Sequence, residues 1–594
     1  MGSEAAGMKN YPFSNFAELG EYVARTYNNP TAFNYKDDGQ WKSISTREFI
    51  NQVKYLALAL HELGVKKGEA VGILAFPSPF WLMADLAILS IGAVTIPFFP
   101  PGSEGNLEFK IENSRLKQLF LFCPDAWERV APHLGSIQNV ICQGFMPDDK
   151  KIISFEDFIK RGMILEAQQP DIYQSRQKAV QEKDLASIIY TSGSTGMPKG
   201  VVLTHKNVIS QLKAARQIFP LDSLKDVAVS CLPLAHSFEH TIVYYYIASG
   251  VSIYFNSDIK KLGDDLKEVR PTTIVVVPRI FEKIYAKIKA KVAAASAVEK
   301  IIGAWAIEIA NKHDPDRDRQ SLQFMLAKLL VFKKLMKALG GRLRFVITGG
   351  APFKRDLYRF FINIGVPLYQ GYGLTEAAPI LSANYPGNHK LGTVGKAFPD
   401  VTLKIDSTGE VLARGPNIMR SYHEMPEETN KMIDADGWLH TGDLGVCDSE
   451  GYLTITGRKK ELLKTSGGKY VSPIPIEQEL CASSLIDMAL VIGEGQSFVS
   501  ALLFPDPEYF KKWKKTKEQS EQDFLASPFI KKKIESLIEA INSRLDHWQQ
   551  IKEYRFILDP ISVESGELTP TLKIKRHVIV DRYKELIAEI YKEK

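Results

Sequence analysis

Short runs of β-branched and aromatic residues alternate with longer stretches of helical periodicity along most of this chain, and that alternation restricts the fold more than any other feature. Ala186-Ser187-Ile188-Ile189-Tyr190, Thr273-Ile274-Val275-Val276-Val277 and Leu343-Arg344-Phe345-Val346-Ile347 have the length and content of buried strands. Between two of them, Phe281, Ile284, Tyr285 and Ile288 recur at helical spacing and mark one face of a helix. Strands that alternate with helices in this way predict an α/β body, with sheets covered by helices. At 594 residues the chain is several times the ~150 residues of an ordinary domain, so more than one compact unit is expected.

One apolar region competes with this reading. Val71 to Pro101 is long enough to imitate a membrane span, but Pro77, Pro79 and Asp85 interrupt it and Gly92 and Pro97 close it. A span needs ~20 uninterrupted apolar residues, so a buried strand–helix–strand unit is the better reading. Hydrophobic residues at 45% and charged residues at 24% give the balance of a globular protein. The net charge of +6 is thin for this length and gives no reason to expect nucleic acid as a partner, though it suits an anionic substrate. Five scattered cysteines without metal-ligand spacing argue against a disulfide scaffold or a zinc site and fit a reducing cytoplasm. Residues Met1 to Asn15 lack the pattern of a signal peptide.

Residues 290–339 read as added helices. Leu322, Met325, Leu329, Phe332 and Met336 form an apolar stripe, expected to pack on the body, with Lys328, Lys333, Lys334 and Lys337 elsewhere on the surface. The alternative is a basic amphipathic helix that touches the cytoplasmic face of a membrane. After Gly409 short strands and turns take over. A hinge is expected near Gly457-Arg458-Lys459-Lys460-Glu461, followed by a small α+β unit.

The strongest local signal is Tyr190-Thr191-Ser192-Gly193-Ser194-Thr195-Gly196-Met197-Pro198-Lys199-Gly200. Three glycines let backbone N–H groups converge, four hydroxyls add donors and Lys199 adds a charge, which together make a polyphosphate cradle. The order Pro198-Lys199-Gly200 excludes a Walker A loop, which needs Lys followed by Ser or Thr. Four further segments occur in order: Gly349-Gly350-Ala351-Pro352, Gln370-Gly371-Tyr372-Gly373-Leu374-Thr375-Glu376, Trp438-Leu439-His440-Thr441-Gly442-Asp443 and Gly457-Arg458-Lys459-Lys460. With the Gly-rich loop they resemble the shared motifs of the adenylate-forming (AMP-binding) superfamily over nearly the whole chain. Pro233-Leu234-Ala235-His236-Ser237-Phe238-Glu239-His240, Gly340-Gly341-Arg342-Leu343-Arg344 and Thr569-Pro570-Thr571-Leu572-Lys573 look like its long-chain fatty acyl-CoA synthetase branch.

The resemblance implies a large N-terminal body of helix-covered sheets with a small β-barrel-like portion, followed by a small mobile α+β domain. The expected bounds are 1–457 for the adenylation domain, 458–462 for a hinge at Lys460 and 463–594 for the lid. Many members carry Asp where Lys460 stands. It also implies the substrates ATP and coenzyme A, a fatty acid partner and Mg²⁺. Glu376 would hold the metal and Thr375 would meet a phosphate. Gly349, Gly350, Ala351, Gln370, Gly371, Tyr372 and Gly373 would surround adenine. Asp443 would accept the ribose hydroxyls, and Arg458 would reach ribose or phosphate. His236 and Lys573 join Thr375 and Glu376 as catalytic candidates, and Lys573 would neutralise the two anions that react. Gly467, Gly468 and Lys469 would line the path of the coenzyme A thiol. The aromatic region Leu232 to Phe255 suits either a tunnel wall or core packing. A carrier-protein acceptor in place of coenzyme A, or a non-enzymatic lipid-binding protein at a membrane, are the competing readings. Oligomeric state and chain-length preference leave no signal.

Overall fold

The computed structural model describes residues 10–99, 107–192, 197–315, 319–481, 483, 485–506, 520–562, 565–568 and 574–592. Two compact units emerge. One comprises Met1–Lys404, Leu412–His440 and Gly451–Leu453, and the other Ile405–Val411, Thr441–Glu450 and Thr454–Lys594.

The first unit contains two large sheets. The eight-stranded sheet runs Ser421–Tyr422, Pro198–Thr204, Leu185–Ser192, Val94–Phe98, Ala70–Leu74, Gln118–Leu121, Asn139–Cys142, Ile152–Ser154. The nine-stranded sheet runs Lys396–Ala397, Ile380–Ala383, Leu368–Gly373, Phe345–Thr348, Thr273–Val276, Val227–Ser230, Ser252–Phe255, Phe33–Asp37, Gln40–Ile44. The central pairs of both sheets are parallel, and strands such as Val94–Phe98 and Thr273–Val276 are buried along their whole length. That is why they read as unbroken apolar runs rather than alternating ones.

The apolar region after Val71 is the strand–helix–strand unit expected. Ala70–Leu74 and Val94–Phe98 pair in parallel, joined by the helix Pro79–Ser90. Ser78 caps that helix by accepting from the Trp81 N–H, and Pro79 at its first turn sacrifices no hydrogen bond. Trp81, Leu82, Leu86, Ile88 and Leu89 are all buried, so the helix is apolar on every side because it lies inside the unit. No helix among the described residues is long and apolar enough to cross a membrane.

Most of the described residues in 290–339 are helical, but their apolar stripe does not pack as expected. The segment continues from Leu322–Ala327 through a π-helical turn, Lys328–Phe332, into Lys333–Ala338. Its inner face is Phe324, Ala327 and Phe332, with Phe324 against the rings of His313 (4.2 Å) and Phe332 (5.6 Å). Of the anticipated stripe, Phe332 is buried and Met336 half-buried, whereas Leu322, Met325 and Leu329 are exposed. Phe324 and Ala327 lie two positions out of phase with Leu322 and Met325, and a helix with apolar residues on two faces gives a periodicity that does not say which face turns inward.

A four-stranded sheet has the order Thr402–Ile405, Glu410–Arg414, Leu439–Cys447, Leu453–Arg458. Beyond it, Ile486–Ile492, Val499–Pro505 and Ile551–Phe556 form a three-stranded sheet, and the helix Pro528–Asn542 buries Ile530, Ile534, Ile538 and Ile541 at helical spacing. Leu480, Val491, Val499, Leu503 and Ile551 complete that core.

Candidate active site

Three loops lie at the carboxyl ends of strands in the nine-stranded sheet, two on neighbouring strands and the third beyond one intervening strand, the place where open α/β sheets bind ligands. Gly349 and Gly350 follow Phe345–Thr348, Gly371 to Glu376 close and follow Leu368–Gly373, and His236 follows Val227–Ser230. Thr348 pairs with Gln370, and Gln370 is buried with its carbonyl receiving the Asn384 N–H at 2.8 Å. A Cβ on Gly349 would stand 3.2 Å from the Gly371 carbonyl and 3.6 Å from the Phe238 ring. On Gly373 it would stand only 1.8 Å from the Pro379 carbonyl. Glycine at these two positions therefore lets backbone lie on backbone and keeps the edge flat beside Tyr372, whose ring offers an aromatic face. Gly350 has φ +76° and Ala351 beside it is half-buried.

The helix Ser237–Ala248 delivers the next group. His236 is its N-cap, Nδ1 receiving the Phe238 N–H at 3.2 Å. The Ser237 hydroxyl donates to Thr375 Oγ1 at 3.3 Å, and Thr241 donates to the Ala378 carbonyl at 3.3 Å. This helix is pinned from behind by a carboxylate that sequence reasoning treated only as an interruption. Asp85 is fully buried and accepts from Thr95 (2.6 Å) and Tyr244 (2.6 Å), with His240 Nε2 at 2.7 Å. Satisfying it takes partners from two other elements, so the network fixes the helix against Pro79–Ser90. Glu239 is buried as well, and burial pushes its carboxyl up to about 8 while Ser230 donates to it at 2.6 Å. Tyr245 donates to the Phe219 carbonyl, and Tyr246 lies within 3.5 Å of Thr273. The three tyrosines are thus core residues with satisfied hydroxyls, which decides for core packing over a tunnel wall at those positions.

The Gly-rich motif begins and ends on two paired strands. Leu185–Ser192 and Pro198–Thr204 are antiparallel, with Thr191 opposite Lys199 and Ser192 opposite Pro198. Gly193, Ser194, Thr195 and Gly196 lie outside the described residues, as does Lys573. Gly200 allows the neighbours to close in, since a Cβ there would meet Ile188 at 2.8 Å and His423 at 3.1 Å. The outer neighbour, Ser421–Tyr422, pairs with Val201 and Val202 and brings a residue that no motif announced. Tyr422 donates its hydroxyl to Glu376 Oε1 at 2.7 Å, and its ring lies 5.2 Å from Lys199 Nζ. Lys199 in turn is paired with Glu428, which also takes Lys431 at 2.6 Å. The hydrogen bond from Lys199, reinforced by that from Lys431, pulls the Glu428 carboxyl down to about 2. Burial and the Glu376 charge push the Tyr422 phenol well up, so it acts only as a donor.

Glu376 itself is the middle residue of the short turn Thr375–Ala377, whose backbone is held by the Met419 N–H on the Glu376 carbonyl (2.8 Å) and by Asn417 on the Ala377 carbonyl (2.8 Å). With Oε1 taken by Tyr422, Oε2 has no partner among the described residues. A carboxylate fixed in this way fits the manner in which Mg²⁺ is held, by one or two carboxylates and substrate oxygens.

The remaining candidates fall in the second unit. Asp443 is buried and receives Arg458 Nε at 2.9 Å. Thr441 donates to the Val411 carbonyl, while Glu410 accepts from the Gly442 N–H and from Lys459, both at 2.9 Å. Lys460 lies in the short turn Lys459–Glu461. Gly467, Gly468 and Lys469 form the turn between Leu463–Lys464 and Tyr470–Val471, closed by the Thr465 N–H on the Lys469 carbonyl and the Gly468 N–H on the Thr465 carbonyl, both 2.9 Å. Gly468 has φ +75°, and Lys469 Nζ lies 5.1 Å from the Trp548 ring.

The AMP-binding enzyme family profile matches residues 20–423, and that of the AMP-binding enzyme C-terminal domain matches 460–594. The chain belongs to the AMP-binding enzyme family. An AMP-binding enzyme with this order of motifs is the adenylate-forming protein that the sequence resembled. Among its relatives is a Mycobacterium bovis protein named long-chain-fatty-acid–CoA ligase FadD15, 35% identical over 93% of both chains. The human long-chain-fatty-acid–CoA ligase 6 is 30% identical over 94% of this chain and 83% of its own. In fold the chain is similar to the anthranilate CoA ligase AuaEII crystallised with anthranoyl-AMP, with TM-score 0.72 and 20% identity over 98% of this chain and 100% of that one. The large sheet-bearing unit and the small C-terminal unit therefore each have the fold class of adenylate-forming structures.

Proposed function

We propose that this AMP-binding enzyme is a long-chain fatty acid–CoA ligase that joins ATP and a fatty acid into an acyl-adenylate, releases diphosphate, and passes the acyl group to the thiol of coenzyme A with release of AMP. The observation that carries the reading is the Lys199–Tyr422–Glu376 cluster: a cation and an oriented carboxylate held side by side between a hydroxyl-rich hairpin and a glycine-lined sheet edge. The names of relatives that align with more than nine-tenths of this chain support the fatty acid and the thiol acceptor.

In the first half-reaction a fatty carboxylate oxygen attacks the α-phosphorus of ATP. This chain contributes position and charge rather than a covalent nucleophile. Lys199 leaves Glu428 for the phosphates, the hydroxyls of Thr191, Ser192, Ser194 and Thr195 donate to their oxygens, and Thr375 meets a phosphate. Glu376 would hold Mg²⁺, which would offset the negative charge of the phosphates. Gly349 to Ala351 and Gln370 to Gly373 receive adenine. Asp443 takes the ribose in exchange for Arg458. Lys573 neutralises the reacting carboxylate and α-phosphate. In the second half-reaction the domain 463–594 turns about 458–462, Lys573 withdraws, and the turn Gly467-Gly468-Lys469 borders the thiol's approach. His236, as the cap of its helix, positions Ser237 and Phe238 rather than moving a proton. Contact with a membrane surface that holds the fatty acid belongs to the same reading.

The test separates the halves. Among the described residues a Cβ on Gly467 meets nothing nearer than Thr465 Oγ1 at 3.9 Å, so Gly467→Leu is expected to fold. It should form acyl-AMP and diphosphate yet stall before thioester. Lys573→Ala should lose adenylation by ~10²–10³ while still converting supplied acyl-AMP and coenzyme A. Equal losses in both halves for both variants would overturn the two-conformation mechanism. Best turnover with acetate or an aromatic acid would overturn the fatty acid.

A further inference from the structure

The two-faced helical segment 322–338 carries an observation that the reaction does not use. Eighteen large hydrophobic side chains are exposed among the described residues, and seven of them fall in two neighbouring helical stretches: Val298 and Ile301 on Ala297–Lys312, and Leu322, Met325, Leu326, Leu329 and Leu330 on the segment itself. Leu322 is 70% exposed and Leu329 59%. Elsewhere such side chains occur singly or as one adjacent pair, Met163 and Ile164. Apolar surface gathered this densely on one helix face marks an interaction site rather than ordinary leakage of apolar residues to the surface.

Helical spacing explains how one segment presents it. Positions 322, 325, 326, 329 and 330 follow the i, i+3, i+4, i+7, i+8 rule for a single face, while 324, 327 and 332 face the body. The segment cannot turn its leucines inward, because the inner face is already filled by the Phe324, Phe332 and His313 rings. Its support is rigid. The adjacent helix Ala297–Lys312 ends with its Ala310 carbonyl and the following His313 carbonyl accepting from Asn363 at 2.8 Å, and Arg359 donates to the Asn311 carbonyl.

Charge identifies the occupant. Between Leu322 and Ala338 the segment holds Lys328, Lys333, Lys334 and Lys337 and no carboxylate, and all four lysines are exposed. Lysines around an apolar helix face match an anionic lipid surface, where the leucines enter the acyl boundary and the ammonium groups stay among the headgroups. A second copy of the chain would set these lysines against the same lysines across an isologous interface, and that repulsion disfavours it.

We infer that the face formed by Leu322, Met325, Leu326, Leu329 and Leu330, with its flanking lysines, docks the protein on an anionic bilayer. The inference extends the fatty-acid reading, since a bilayer is where that substrate gathers, but its test does not depend on turnover. Full-length protein is sedimented with vesicles of phosphatidylcholine alone or mixed with phosphatidylglycerol, beside Leu326→Ser/Leu329→Ser and Lys333→Glu/Lys334→Glu variants. ATP–diphosphate exchange is measured without vesicles as the check on folding. Wild type should bind the mixed vesicles and bind neutral ones at least about tenfold more weakly. Each double variant should lose about tenfold or more on mixed vesicles while keeping its exchange rate. Wild-type protein that fails to bind mixed vesicles, or variants that bind as wild type does, would overturn the inference. So would a wild-type dimer that the leucine variant converts to monomer, which would make the face a self-interface. Loss of exchange in wild-type protein would count against the adenylating function and leave the docking result to stand alone.

Discussion

Tyr422→Phe deletes one oxygen and leaves the ring that lies 5.2 Å from Lys199 in place, so it isolates the hydrogen bond to Glu376. That bond is 2.7 Å long, ends on a carboxylate and is partly shielded from water. A hydrogen bond to a charged group contributes ~1.5–3 kcal/mol, and 1.4 kcal/mol is about a factor of ten. If Tyr422 aims Glu376 at the metal, its removal should lower diphosphate exchange at subsaturating Mg²⁺ by ~10–10²-fold. Saturating Mg²⁺ should recover part of the loss, because the carboxylate remains. The assay is ATP–diphosphate exchange across a Mg²⁺ titration, paired with a thermal midpoint. An unchanged or faster exchange at low Mg²⁺ would show that the phenol does not orient Glu376. A loss accompanied by a large fall in the midpoint would assign Tyr422 to stability instead.

Glu376→Ala should abolish acyl-adenylate formation in a protein that still melts cooperatively, and near-normal exchange would remove the metal role from this residue. Glu428→Gln should lower the KM for ATP about two- to fivefold by freeing Lys199 from its competing carboxylate, and a raised KM would mean that Glu428 helps to hold the lysine in its working position. Gly373→Ala should cost ~2 kcal/mol or more in denaturant unfolding, because the Pro379 carbonyl 1.8 Å from the new Cβ is backbone and cannot rotate away; a variant as stable as wild type would refute that packing. His205 is buried, and desolvation lowers its imidazole to about 4. The unfolded chain therefore binds a proton near pH 6.5 that the folded one refuses until about pH 4, and stability should fall by a few kcal/mol as pH drops through that window. His205→Asn should flatten this slope in unfolding titrations, and a slope unchanged in the variant would assign it to other groups.

What the sequence disclosed follows from how local each feature is. The Gly-rich hairpin, the buried strands and the strand–helix–strand after Val71 rest on neighbours a few residues apart, and their chemistry is written in contiguous letters. The pairing of Lys199 with Glu428 spans 229 positions and that of Tyr422 with Glu376 spans 46, and both depend on where the outermost strand of a sheet comes to rest. Tyr422 lies in no glycine-rich or charged motif, so nothing local flags it. Asp85 was visible as an odd carboxylate in an apolar helix, but its partners Thr95, His240 and Tyr244 come from two other elements. The outward face of residues 322–330 was misjudged for a different reason, because two apolar faces on one helix give a pattern that fits either orientation.

The hairpin that carries Lys199 has one further implication, and it concerns counting. Lys199 stands opposite Thr191 on one side and two residues before Val201, which faces Tyr422, on the other. Side chains in a strand change sides at every step, so losing one residue between Lys199 and Thr204 would turn the ammonium group to the opposite surface of the sheet, away from Tyr422 and Glu428. Residues added between Ser192 and Pro198 change no such alternation. The cradle can therefore vary in length from one relative to another, whereas the odd-or-even spacing from Lys199 to the end of its strand cannot.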